Sequence, residues 1–337
     1  MSTDYGYINA RVRGLKAKLL GPEFYTEALA ATDFRAFMAT LSQSPYMREI
    51  EEAQARFNGL KALDVALARD FYGTTRSLLQ FSDGLPHDLI ALLLLRYDLY
   101  NIKALARAKH AGRDVEDAQA VFFPAGVLKP AVLETAAAGA DMAAVAQALL
   151  VTPTPLRGAF ARAAQQYGSD GDLYSLELAL DRAYFKAIFD TLKRVSAPAD
   201  FVRYLRREVD ATNLRTALKL RGREGSGDDL YVSGGKEISR SIFDAIMNDT
   251  SAGALQNLST TSFAAVAETE TLSEAEETIR SILNTAAKRL SADPLDIGVV
   301  ANYLRLKEAE AARLRLLARG KYYGVPRDAL ARELGDA

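Results

Sequence analysis

The sequence predicts an all-α protein made of three similar helical subdomains in tandem. Three observations predict it. Ala, Leu, Arg, Glu and Lys dominate, and the alternating apolar–polar pattern of strands is nearly absent. Three long segments each carry proline near the start and glycine at the end. Several helical segments recur in the same order, at a spacing of about 112 residues.

Taken in chain order within a repeat, the first recurring element is short. "DFRAFMATL" (Asp33–Leu41) matches "DMAAVAQAL" (Asp141–Leu149), with "TSAGALQNL" (Thr250–Leu258) a loose third. The next is "LDVALARDFY" (Leu63–Tyr72), matched by "LELALDRAYF" (Leu176–Phe185) and more weakly by "AEETIRSIL" (Ala275–Leu283). The long segments follow: Pro86 to Gly112, Pro198 to Gly222 and Pro294 to Gly320. Proline suits a first helical turn, where its missing N–H has no partner to lose, and glycine tolerates the left-handed stop. The third segment is four residues longer from proline to the matched polar position, which predicts one extra helical turn. These matches divide the chain into repeats 1–112, 113–224 and 225–337.

Inside the long segments the shared pattern is acid-x-x-polar-apolar-basic-x-x-x-basic. Asp98, Asn101, Lys103 and Arg107 align with Asp210, Asn213, Arg215 and Lys219, and with Glu310, Arg313, Arg315 and Arg319. On a helix, residues 98, 101 and 105 share a face, so Asp98 and Asn101 are expected against a packed surface as a hydrogen-bonded pair. Lys103 and Arg107 lie on another face. Like charges at i, i+4 repel slightly, so the basic pairs read either as solvated faces or as docking points for an acidic partner; their recurrence favours docking. Arg313 departs from the asparagine of the other two repeats.

Other features narrow the function classes. A net charge of −1 argues against general nucleic-acid affinity. The absence of cysteine excludes disulfides and thiolate metal sites, and two separated histidines, His87 and His110, argue against a zinc site. The first residues lack an apolar signal core, and the longest leucine-rich run, "LIALLLL" (Leu89–Leu95), is far short of the ~20 residues that span a bilayer. "SGGK" (Ser233–Lys236) has Leu230 and Glu237 where a phosphate loop needs glycine and Ser/Thr, and reads as part of a flexible linker, Glu224–Lys236. "DGDLYSLELALD" (Asp170–Asp181) fails as a calcium loop at Tyr174 and Ser175. No nucleophile elbow or dinucleotide fingerprint appears, so neither catalysis nor a cofactor is expected.

Four stretches together carry a resemblance: "YGYINARVRGLKAKLL", "YDLYNIKALARAK", "REVDATNLRTALKLR" and "EAARLRLLARGKYYGVPRDAL". In this order they resemble the C subunit of prokaryotic V-type (archaeal-type) ATPases, related to the eukaryotic d subunit, over essentially the whole chain. The resemblance implies three helical subdomains in a pseudo-threefold funnel and a non-catalytic place in the central stalk. It implies a peripheral position on the cytoplasmic face of the membrane, between a shaft of D and F subunits and the membrane rotor ring. The complex would use it for torque transmission in ATP synthesis or ion pumping. The alternative from the repeats alone is an unrelated helical adaptor.

Overall fold

Every regular element among the described residues is a helix. The computed structural model describes residues 4–115, 122–222, 227 and 230–335. The helices are α1 (Gly6–Lys16), α2 (Pro22–Ala30), α3 (Phe34–Leu41), α4 (Met47–Gln54), α5 (Gly59–Gln80) and α6 (Gly84–His110). Then come α7 (Pro130–Ala137), α8 (Met142–Leu150), α9 (Arg157–Asp170), α10 (Leu173–Leu192) and α11 (Ala199–Lys219). The last are α12 (Arg240–Asn248), α13 (Ala252–Leu255), α14 (Leu272–Leu290), α15 (Gly298–Tyr322) and α16 (Arg327–Gly335).

Side chains at the helix starts explain several boundaries. Asp33 and Asp141 each accept from the amide three residues on, Ala36 and Ala144, and so cap α3 and α8 alike. Asp172 caps α10 by accepting from the Tyr174 and Ser175 amides. Thr271 and Glu274 form a reciprocal capping box on α14. The loose third match of the short element, Thr250–Leu258, is broken into the four-residue α13 and one 3₁₀ turn, Gln256–Leu258.

The long helices correct two expectations about the third long segment. Pro86 sits in the first turn of α6 and Pro198 caps α11, while Gly112 and Gly222 take left-handed φ values of +62° and +80°. Pro294, by contrast, lies ahead of α15. Its carbonyl and that of Asp296 are held in a turn by the Asn9 amide group, so the added length is turn and not helix. Gly320 lies within α15, and the left-handed stop is Gly324, φ +70°. Gly320 is needed for space: a Cβ there would lie 2.2 Å from a Leu330 methyl, where α16 folds back.

Three apolar clusters hold the helices together. The largest runs from Tyr5 and Val12 through α6–α11 to Leu304. A second joins the end of α11 to α12 and α14, around Leu214, Phe243, Phe263 and Ile279. The third packs Ala28, Phe37, Leu41, Leu63 and Leu67 against Leu314, Leu317 and Ala318. The chain's first helices and its last long helix thus share one core. Each fully buried leucine there contributes roughly 1.5–3 kcal/mol.

Candidate functional site: the joints between the long helices

The buried polar positions bond backbone rather than one another. Asn101 donates to the Phe123 carbonyl and accepts from the Phe123 amide, both at 2.8 Å, and Asp98 Oδ1 accepts from Leu128 N at 3.0 Å. Asn213 repeats the reciprocal pair with Val232, at 2.8 and 2.9 Å. Asp210 accepts from the amides of Lys236, Glu237 and Ile238. A glycine lets each loop approach: a Cβ on Gly126 would lie 1.9 Å from Asp98 Oδ1, and one on Gly235 2.0 Å from Asp210 Oδ1. The "SGGK" stretch is therefore pinned rather than a loose linker, because its second glycine lies against a buried carboxylate.

The long helix α15 does the same work with other groups. Glu310 accepts from Leu20 N at 2.5 Å and from the Tyr46 hydroxyl at 2.7 Å. Lys307 Nζ, also buried, lies 3.1 Å from Glu310 and 2.9 Å from Asp70. Arg313 lies over the Tyr25 ring and bonds its hydroxyl, 5.8 Å from guanidinium carbon to ring centre.

The basic pairs meet carboxylates of this same chain. Lys103 Nζ lies 2.6 Å from Asp181, and Arg107 grips both oxygens of Glu177 at 2.5 and 2.6 Å. Lys219 Nζ lies 2.7 Å from Glu276. Arg315 and Arg319 share Asp64, at 3.0 and 3.3 Å. Arg215 is half-buried beside Glu276 and Arg280; burial, then the charge of Arg305, lowers its pKa. Asp64, Glu177 and Glu276 occupy the same place in the recurring "LDVALARDFY" element. Lys103 and Arg107 thus reach the acid of the second of these matched elements, Lys219 that of the third, and Arg315 and Arg319 that of the first. The polar pins run the same way: 98 and 101 to residues 123–128, 210 and 213 to 232–238, and 310 to Leu20.

Two residues before each buried acid, at Arg96, Glu208 and Glu308, the long helices meet. Arg96 bridges Glu308 at 2.6 Å and Glu208 at 3.3 Å. Arg305 bonds Glu208 and, at 2.9 Å, the Tyr204 hydroxyl; Tyr97 donates to Glu308. Burial pushes the Glu208 carboxyl up, but Arg305 and Arg96 outweigh it and hold it below the usual range. Burial also opposes the charge on Arg96, and Glu308, Tyr97 and Glu208 reverse that and push its pKa up.

Sequence reasoning missed the acids of the joints and this central cluster. The acids were visible as a carboxylate shared by all three matched upstream segments. The central cluster carried no such signal, since its three matched positions hold one arginine and two glutamates. Among the described residues, no group of three or more His, Asp or Glu could hold a metal ion.

Known proteins are similar to this sequence over nearly its whole length. The family model for the ATP synthase (C/AC39) subunit matches residues 8–333. The C subunit of the Deinococcus radiodurans V-type ATP synthase is 36% identical over 336 residues, covering 99% of this chain and 92% of that protein. The C subunit of the Thermus thermophilus V-type ATP synthase is 35% identical over 334 residues, 99% of both chains. The C subunit of the Archaeoglobus fulgidus A-type ATP synthase is 26% identical over 336 residues, 98% of this chain and 96% of that one. With helices, joints and nearly every residue inside the match, the chain belongs to the ATP synthase C/AC39 subunit family.

Proposed function

We propose that the chain is the non-catalytic socket of a rotary V/A-type ATPase. It receives the D–F shaft, sits peripherally on the cytoplasmic face of the membrane rotor ring, and carries torque between them in ATP synthesis or ion pumping. The observation that supports this furthest is the cyclic set of joints. Every long helix is tied to the next repeat by a buried polar pin and an ion-paired end, and the last is tied to the first. A closed set of three arms resists twisting about its centre better than an open row of repeats. No helix among the described residues is long and apolar enough to cross a membrane, so in this reading the ring is met from outside the bilayer.

In this proposal the docking role falls mainly to the outer three of the six basic residues. Lys103, Arg215 and Arg315 are the inner members, turned into the joints. Arg107, Lys219 and Arg319 keep 60%, 54% and 50% of their side chains exposed. Each is half-engaged by its own joint and offers its free donors to an acidic partner; such contacts fix register even at about 1 kcal/mol each. The test is co-purification of the chain with the D–F shaft and with the membrane ring, run separately. Retention on both is expected, and a folded chain that binds neither ends the proposal.

A further inference from the structure

One joint differs from the other two. Between α6 and α15 lies a hollow of about 560 Å³, within the ~300–1,000 Å³ range of specific binding sites. Its walls carry Arg96, Arg305, Arg315 and Arg319 against two lining carboxylates, Asp64 and Glu308, with the buried Glu208 behind Arg96 and Arg305. At the matching positions of the first-to-second joint, Arg96, Lys103 and Arg107 balance Glu177, Asp181 and Glu208. At the second-to-third, Arg215, Lys219 and Arg280 balance Glu208, Glu276 and Glu308. Against the first-to-second joint the excess arises from Arg305 in place of the buried Leu93 and Ala68 in place of Asp181; against the second-to-third it arises from Arg305 in place of the buried Leu205 and Arg96 in place of Glu308, partly offset by Ala68 in place of Arg280.

The aromatic lining is confined in the same way. Tyr97 and Tyr100 face Val209 and Thr212, or Ala309 and Ala312, at the matching positions. Tyr100 is 51% exposed. Phe123 forms part of the wall with Arg315 lying over its ring at 5.3 Å.

We propose that this hollow is a keyway for the shaft: it takes a segment combining carboxylates with an apolar or aromatic side chain from the shaft's end, and so fixes the shaft at one angle. The inference rests on the socket reading above. A shaft made of two unlike chains has no threefold symmetry, so three equal joints would admit it at three angles. A single joint with surplus guanidinium and exposed phenol breaks that equivalence. The four guanidiniums already meet Asp64, Glu208 or Glu308 and are spread along the wall. That suits an extended acidic segment rather than a phosphate, which needs its donors gathered at one point.

The chain's lack of cysteine makes a direct test possible. Tyr100→Cys, Thr212→Cys and Ala312→Cys, made singly, are labelled with a photo-crosslinker and irradiated in the complex with the D–F shaft. Position 100 should couple to one acidic shaft peptide, and the other two positions to different peptides. The same peptides from all three positions would overturn the keyway, as would a non-acidic peptide at position 100. The pair Tyr100→Thr with Arg319→Leu, melting like the parent chain, should weaken shaft binding at least tenfold; an unchanged affinity also overturns it. ATP alone raising the melting temperature while shaft binding ignores the pair would reassign the hollow to a nucleotide. If the parent chain binds no shaft at all, the socket reading itself falls and the keyway with it.

Discussion

Asp98 and Asp210 occupy matched positions but should respond oppositely to asparagine. Asp210 is used through both oxygens, which accept from three backbone amides. Asp98 uses Oδ1, and its Oδ2 is buried without a hydrogen-bond partner. Burial pushes the Asp98 carboxyl up to about 7, outweighing the Leu128 and Val127 amides and the charge of Arg76. With an unfolded value of 3.8, the folded state holds a proton between these two pH values that the unfolded chain releases. Stability from this group is therefore complete below the lower value and is lost as pH rises through about 7. At roughly 1.4 kcal/mol per pH unit the whole effect is on the order of 4 kcal/mol. Asp98→Asn keeps the acceptor for Leu128 and has no charge to bury. Urea unfolding at pH 8 should find the variant more stable than the parent by about 1–4 kcal/mol, and at pH 5 the gap should shrink. Asp210→Asn should cost about 2–4 kcal/mol at both pH values, because its NH₂ group must face amide donors. Equal losses from the two variants, independent of pH, would refute the reasoning.

Two further outcomes follow from the same packing. Gly235→Ala should lower stability by about 1–3 kcal/mol, since its methyl must displace the Asp210 carboxylate; thermal melting measures it, and Gly234 offers no such test because its φ is +120°. Lys307→Met should cost about 3–5 kcal/mol by leaving Glu310 and Asp70 without their buried cation, and adding Glu310→Gln should restore part of the loss in denaturant titration.

The helical class and the matched long helices were legible because both rest on local signals: helix-forming composition, proline starts, and faces set by a 3.6-residue period. Asp98 and Asn101 could be assigned to a packed face for that reason. What lay against them could not, since Phe123 and Val232 are distant in sequence and bond through backbone, which carries no residue code. The fate of Gly320 was misread because its reason is tertiary, the return of α16 over it. The carboxylate beside Arg319 was not legible because Asp64 lies 255 residues earlier. Nothing local links the two ends of a chain that closes on itself.

That closure has a consequence for how the protein is made. The core around Phe37, Leu41, Leu63 and Leu67 is completed by Leu314, Leu317 and Ala318. On the ribosome the first helices emerge long before the residues that cover them. They wait through most of synthesis, with apolar surface open to chaperones or to other nascent chains. A chain that stalls before residue 314 would expose that surface indefinitely, so quality control could recognise an unfinished copy by its amino-terminal helices.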